Sequence, residues 1–256
     1  KSAACHAGKQ PALSLRLSTA SGSQPGHAGT LDPMATGLMV VGIDSGTKLL
    51  SHLFGLDKQY VATIRLGQST RTDDAEGEVL SEADASRITK EQIQIEIDKL
   101  IGEIDQVPSS VSAIKVDGER AYAKVRSGDE VKLAARPVTI KRFEVIGEPR
   151  LVVEGENTFL DFDAVIDCTS GTYIRALARD LGFKLGVGGH LTALRRTRVG
   201  NFSVTETVPF DPEADAPTLI APADAATRVF DRVNLSTEQA RELMQGKRPA
   251  VTGADG

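Results

Sequence analysis

Apolar positions along the chain follow two periods, one typical of strands and one typical of helices. Short alternating or continuous apolar runs are typical of strands, because successive side chains of a strand point to opposite faces of a sheet. This pattern predicts strands around residues 38–43, 60–66, 138–146, 151–153 and 159–167.

Three longer amphipathic stretches predict helices, because their apolar residues recur every three or four positions and so share one face. They cover residues 46–56, 89–104 and 172–185, and Thr89 is a candidate N-cap for the second. Strands and helices interleave irregularly rather than as repeated βαβ units. The sequence therefore predicts an α+β fold with a mixed, largely antiparallel sheet and flanking helices.

Composition divides the chain into four segments. Residues 1–24 are an atypical N-terminal segment rich in Ser, Ala, Gly and Gln, and residues 25–208 hold most of the predicted strands and helices. Residues 209–234 begin with a Pro-, Ala- and Asp-rich stretch that is typical of a linker. Residues 235–256 contain one helix with Ser236 as its N-cap, and they are too few to form a small β-domain alone.

The formal net charge of −5 does not favour nucleic-acid binding, since phosphate-binding surfaces are usually positive. The charge is uneven, however. Residues 73–105 are strongly acidic, whereas residues 171–205 carry six Lys or Arg against Asp180 alone. A local basic face can bind RNA on an acidic protein, because salt screens charges beyond about 10 Å.

The sequence gives no indication of a membrane or metal protein. No apolar run approaches the roughly 20 residues that span a bilayer. Cys5 and Cys168 provide neither a disulfide framework nor a zinc cluster. The chain also carries no phosphate loop, no His-Glu-x-x-His and no dinucleotide-binding Gly pattern. We expect a cytoplasmic protein.

The most specific stretch is residues 26–37, where Asp32 stands between a Gly-containing turn and an apolar run. Pro33 pushes the backbone of Asp32 toward an extended conformation. An aspartate constrained in this way, directly before a buried strand, is held in place rather than mobile in solvent. For an isolated Asp-Pro pair a simple turn would be the better interpretation, but twelve specific residues in a row favour a functional one.

Five ordered stretches together match one known pattern. They are GHAGTLDPMATG at 26–37, KQY leading to LG at 58–67, TDDAEG at 72–77, QVPSSVSAIK with RAY at 106–122, and CTSGTYIR with LRR at 168–196. In these motifs the chain resembles the TruB-type tRNA pseudouridine-55 synthases. The resemblance implies a pseudouridine synthase fold, isomerisation of uridine 55 in the T-loop of tRNA, and a reaction without cofactor or metal.

The resemblance also implies roles for single residues. Asp32 is expected to be the catalytic residue, and Arg175 to keep its carboxylate ionised and oriented. Tyr60 is expected to stack on the extruded base, because a flipped base needs a flat partner. Tyr173 and Leu194 are expected to line the same pocket.

Several other polar residues have candidate roles from the sequence. His27 either contacts the RNA, as the resemblance implies, or hydrogen-bonds within its own loop, and both interpretations remain open. Arg195 and Arg196 are candidate phosphate contacts. For His190 we expect structural packing, and for the acidic residues 72–77 a loop or hairpin role rather than a substrate contact.

The expected partner is the T-arm of tRNA, bound by a monomer. One alternative is a non-catalytic tRNA-binding or RNA-folding protein that keeps the same pocket. A second is an unrelated hydrolase with an aspartate nucleophile, which would need metal ligands or a water-activating partner near Asp32. Residues 1–24 lack the Asp-Lys-Pro-x-Gly-x-Thr-Ser loop of the family, so we expect an altered first strand and RNA-binding face. Residues 235–256 resemble the start of a PUA-like tail and are expected to be a partial one.

Overall fold

The computed structural model describes residues 25–109, 133–207 and 219–250, and the backbone of residues 3–4, 115–116, 119–120 and 208–209. Most of the N-terminal segment, part of the linker and the end of the tail lie outside the described residues. The strands, numbered along the chain, are β1 Ala3–Ala4, β2 Pro25–Ala28, β3 Thr36–Ile43, β4 Lys58–Leu66, β5 Gln68–Thr70, β6 Val79–Glu82, β7 Gly102–Gln106, β8 Lys115–Val116, β9 Glu119–Arg120, β10 Arg136–Glu154, β11 Asn157–Cys168, β12 Gly189–Val199, β13 Phe202–Ser203 and β14 Val208–Pro209.

Ten of these strands form one sheet in the order β14-β1-β3-β12-β4-β11-β10-β7, with β2 added to β3 and β13 to β12. The pairs β1–β14 and β3–β12 are parallel, and the other pairs of this sheet are antiparallel. The predicted α+β fold with a mixed, largely antiparallel sheet is therefore confirmed. The parallel pair matters for the site, because it sets Arg195 and Arg196 opposite Thr36 and Gly37.

The α-helices span Leu50–Leu53, Lys90–Asp98, Ile174–Lys184, Pro222–Ala226 and Thr237–Met244, and 3₁₀ turns span Asp44–Leu49 and Val204–Glu206. The helix 174–184 buries Ala178, Leu177 and Leu181 in the main core, which also contains Ile64 and Phe162 of the sheet. Each buried Leu, Ile or Phe side chain contributes about 1.5–3 kcal/mol through removal from water. This packing fixes the first turn of the helix against the centre of the sheet.

Two helix predictions were too long. Thr89 caps its helix by accepting from the backbone of Gln92, but the helix ends at Asp98 rather than at Ile104. Gly102 has a φ of +103°, which ends any helical path, and Ile104 then pairs with Val138 as part of β7. The predicted helix 46–56 is a 3₁₀ turn followed by one α-helical turn.

Strand predictions were closer, although two of them merge. Residues 138–146 and 151–153 belong to the single long strand β10. The tail helix begins after its predicted cap, Ser236, which accepts from the backbone of Gln239. None of the helices in the described part of the chain is long and apolar enough to cross a membrane.

Candidate active site

Asp32 lies in the loop that joins β2 to β3, and the loop holds it in one orientation. The carbonyl of Asp32 accepts from the backbone of Ala35 at 2.9 Å, and its own Oδ1 accepts from the backbone of Met34 at 3.2 Å. Leu31 and Ala35 on either side are buried in the core. Because its neighbours are anchored, the carboxylate is fixed at the protein surface with about a quarter (25%) of its side chain exposed.

Arg175 grips this carboxylate with two nitrogens. It stands in the first turn of the helix 174–184, where Nε donates to Asp32 Oδ2 at 2.7 Å and Nη2 pairs with Oδ1. The Arg175 side chain is only 5% exposed. Burial alone would lower the pKa of Arg175, but the hydrogen bond and charge of Asp32 and the charge of Asp74 raise it. The two-point contact fixes both the position and the plane of the Asp32 carboxylate.

Asp74 is a second carboxylate on the same arginine, and the sequence analysis missed it. Its Oδ2 pairs with Arg175 Nη1, which also donates to the carbonyl of Thr72 at 3.1 Å. Asp74 is fully buried, and its Oδ1 accepts from the backbone of Glu76 at 3.0 Å. The segment 72–77 is a turn, as predicted, but this turn also holds the site arginine.

Asp73 and Arg179 repeat this arrangement one turn further along the helix 174–184. Arg179 Nη1 lies 3.3 Å from Asp73 Oδ2, and Arg179 Nη2 donates to the carbonyl of Val107. Burial raises the pKa of Asp73, and the charge of Arg179 opposes this effect. The sequence does contain a signal for these contacts. The two aspartates are adjacent, and the two arginines lie four positions apart, which places both on one face of a helix.

A cavity of about 260 Å³ opens beside Asp32. Tyr60, Tyr173 and Leu194 line it together with Asp32 and Arg175. Typical drug-sized pockets occupy about 300–1,000 Å³, so this volume suits a smaller planar group such as one nucleobase. Burial raises the pKa of Tyr60, while the nearby Arg196 acts to lower it.

Tyr173 is positioned by a buried glutamine. Gln106 Oε1 accepts from the backbone N–H of Tyr173 at 2.8 Å, and Gln106 Nε2 donates to its carbonyl at 3.1 Å. Both backbone groups lie just before the helix that carries Arg175. Gln106 therefore ties the end of β7 to the start of this helix.

Arg196 is not the surface phosphate contact that the sequence suggested. Only 1% of it is exposed, and Nε donates to the carbonyl of Leu38 at 2.8 Å. Its other nitrogens donate to the carbonyls of Thr30 and Gly29 at 3.3 and 3.4 Å. The expectation is wrong because β12 turns this side chain inward, where it clamps both ends of the Asp32 loop.

Arg195, on the opposite face of β12, is exposed, and its Nη1 donates to the hydroxyl of Thr36 at 3.3 Å. It is accessible to a phosphate. His27 is half-buried on β2, with its Nδ1 buried and without a hydrogen-bond partner among the described residues. His27 is not one of the described residues that line the cavity. His190 is buried with its Nδ1 3.0 Å from the carbonyl of Gln68, which confirms structural packing.

Lys58 is a further cavity residue whose role the sequence did not indicate. Its ammonium donates to the carbonyls of Phe54 and Leu56 and to the hydroxyl of Ser170, at 3.0, 2.7 and 3.0 Å. Burial, and then the charge of Arg196, lower the pKa of Lys58 to about 8. In the described part of the chain, no three His, Cys, Asp or Glu side chains are grouped as metal ligands.

Comparisons with known proteins identify one family. The family model "TruB family pseudouridylate synthase (N terminal domain)" matches residues 18–174, and "tRNA pseudouridylate synthase B C-terminal domain" matches residues 175–236. The chain is 56% identical to tRNA pseudouridine synthase B of Mycobacterium sp. (strain KMS), over 90% of this chain and 76% of that one. It is 53% identical to the protein of the same name from Arthrobacter sp. (strain FB24), over 90% and 74%.

Among solved structures, the archaeal box H/ACA sRNP Nop10-Cbf5 complex contains a chain of similar fold. The TM-score is 0.51 at 24% identity, over 77% of this chain and 46% of that chain, so this chain spans less than half of its length. The likeness concerns the fold alone. The family models and the relatives more than half identical show that the chain belongs to the TruB family of pseudouridylate synthases.

Proposed function

We propose that this protein isomerises uridine to pseudouridine at position 55 in the T-loop of tRNA, with Asp32 as its catalytic carboxylate. The observation that carries the proposal is the two-point contact between Arg175 and Asp32 at the mouth of a base-sized cavity. Family membership and the names of the relatives support the reaction and the tRNA substrate.

The reaction breaks the C1′–N1 bond, turns the base, and joins C1′ to C5. An ionised carboxylate can start it by attacking C1′ or C6, or by removing the C2′ proton. Arg175 supports each of these routes, because it holds the charged form of Asp32 at a fixed position before substrate arrives. For this start of the reaction the protein supplies an oriented charge and a cavity that retains the detached base.

A uridine in a folded loop must leave its stack to reach Asp32. In the proposed complex its base stacks on Tyr60, while Tyr173 and Leu194 bound the cavity from other sides. Stacking on an aromatic ring is worth about 1–3 kcal/mol per base, which offsets part of the cost of extrusion. RNA shape then selects the site, since folded RNA is recognised mainly by shape and by its unpaired bases.

Basic residues near the cavity supply contacts for the T-arm. Arg195 is exposed on β12, one position before the clamp residue Arg196, and we assign it to a phosphate. We assign His27, half-buried on the strand that leads into the Asp32 loop, to the displaced part of the RNA loop. A monomer is sufficient for this scheme, because one chain contributes every residue of the cavity named above.

The test is incubation with an unmodified tRNA transcript, followed by mapping of pseudouridine at single-nucleotide resolution. We expect one new pseudouridine, at position 55. A transcript with cytidine at position 55 is the matched control and should gain none. Conversion at another position would refute the T-loop assignment. Tight binding without conversion would instead favour the alternative of a non-catalytic tRNA-binding or RNA-folding protein.

A further inference from the structure

Two buried cations, Lys58 and Arg196, line the cavity beside Asp32, and we call them the cationic pair. Lys58 is 6% exposed and Arg196 is 1% exposed. A methyl group built on Gly29 would lie 3.7 Å from Lys58 Cε and 3.9 Å from Arg196 Nη1. Both side chains therefore reach the same part of the cavity wall.

The hydrogen bonds of the cationic pair, within the described residues, go to neutral oxygens. Lys58 donates to two carbonyls and a hydroxyl, and Arg196 donates to three carbonyls. Asp32 and Asp74, the carboxylates at the site, are both engaged by Arg175. Asp57, a carboxylate whose charge acts on Lys58, pairs with Lys141. Burial of a charge without a paired counter-charge is costly, so two such cations side by side need a reason.

The proposed reaction supplies a negative charge at this place. When the C1′–N1 bond breaks, its electron pair stays on the base, which becomes a uracil anion. Asp32 gives up its own charge on the way, either by bonding to carbon or by taking the C2′ proton. The base then uses its ring electrons to form the C1′–C5 bond, while Asp32 leaves the carbon to which it had bonded, or returns its proton to C2′, and so becomes a carboxylate again. C5 loses its proton and N1 gains one. Negative charge thus passes from Asp32 to the base and back to Asp32.

We propose that the cationic pair stabilises the negative charge on the base while the base is detached from the ribose. This role rests on the proposed function. Arg196 is paired with Tyr60 across strands β12 and β4, and its charge acts on the Tyr60 side chain, on whose ring the base would stack, so this charge lies near the base. Lys58 has an acceptor for each of its three ammonium hydrogens, so it acts through its charge rather than through a new hydrogen bond. Fixed charges in a water-poor site need no reorganisation when the anion forms.

Lys58 is the member to test, because loss of Arg196 would also release the Asp32 loop. Lys58→Met removes the charge at similar length, and Lys58→Arg keeps it. Each full-length variant is mixed in excess with a T-arm RNA that carries either uridine or 5-fluorouridine at the target position. The rate of C1′–N1 cleavage is then measured in a single turnover. Fluorine withdraws electrons and makes the base a better leaving group, so the fluorinated base needs less stabilisation.

We expect Lys58→Met to slow cleavage of uridine by about 10- to 100-fold, the size of a unit charge acting over several ångströms at an intermediate dielectric. The loss on 5-fluorouridine should be clearly smaller, and Lys58→Arg should recover most of the rate on both. An equal loss on both substrates would show a structural role and overturn the proposal, as would no loss on uridine. Conversion of uridine by the wild-type protein in the same experiment tests the proposed function separately.

A pH profile tests the same role without a neutral variant, in case Lys58→Met does not fold. Burial, and then the charge of Arg196, lower the pKa of Lys58 to about 8, while the charge of Asp57 opposes them. The wild-type rate on uridine should therefore fall as the pH rises through about 8. Lys58→Arg stays protonated and should not show this fall. The same fall in both proteins would overturn the proposal.

Discussion

Asp74→Asn is the most informative single substitution outside the cavity lining, because it removes one charge from Arg175 and changes almost no volume. Asp74 is fully buried and its Oδ2 pairs with Arg175 Nη1. Removal of one partner of a buried ion pair costs about 3–5 kcal/mol. For a protein of this size that loss should lower the Tm by about 6–20 °C.

The same substitution should slow the chemistry. In this variant Nε and Nη2 of Arg175 still contact Asp32, but Nη1 loses its contact with the Asp74 carboxylate. The guanidinium and the Asp32 carboxylate are then free to shift together, and a misplacement of about 1 Å can cost about 100-fold in rate. We expect single-turnover pseudouridine formation to fall about 10- to 100-fold. The Kd for tRNA, measured by filter binding, should stay unchanged.

Asp73→Asn is the matched control. Asp73 is the adjacent residue and lies 3.3 Å from Arg179, and burial raises its pKa, so loss of its charge should cost little. Its φ of +57° is one that Asn tolerates. The rate of this variant should stay within about threefold of wild type, well inside the effect expected for Asp74→Asn. A wild-type rate for Asp74→Asn, or an equal loss in both variants, would refute the reasoning.

Two further predictions concern the Asp32 loop and the RNA surface. Gly37→Ala should cost more than about 3 kcal/mol in thermal unfolding, because Gly37 has a φ of +104° and an added Cβ would lie 2.2 Å from the carbonyl oxygen of Arg196. Gly46→Ala, with no atom within 4 Å of the added Cβ, should be nearly neutral, and equal losses would contradict the account. Arg195→Ala should weaken tRNA binding and reduce the slope of log K against log salt by about 1. An unchanged slope would remove Arg195 from the interface.

Local patterns predicted the sheet well and helix ends poorly. The alternation of apolar and polar residues over 60–66 and 159–167 identified two strands that are adjacent in the middle of the sheet. The alternation is clear there because the apolar positions of a central strand must line up with those of the strands on both sides. The helix beginning at Thr89 was extended to Ile104 because isoleucines continue at helical spacing. Only the φ of Gly102 and the pairing of Ile104 with Val138 reveal that this isoleucine belongs to a strand. Such pairing is non-local and is not encoded in the spacing.

For the candidate site, the motifs predicted which residues meet but not which are buried. Asp32 and Arg175 are 143 positions apart, and the structure brings them into contact as the resemblance implied. Arg196 was expected to contact a phosphate because arginine pairs well with phosphate oxygens. Asp74 was assigned to a loop or hairpin because an acidic stretch repels phosphate. The sign of a charge is visible in a sequence, whereas its counter-charge comes from a distant strand or helix.

The central claim is that the Asp32 carboxylate, held by Arg175, performs the chemistry rather than the binding. Asp32→Asn tests it most directly, with Asp231→Asn on the exposed C-terminal segment as the control. Pseudouridine at position 55 should be undetectable in a single turnover with saturating Asp32→Asn, while its Kd for tRNA stays close to that of wild type. Conversion by Asp32→Asn at the wild-type rate would contradict the claim.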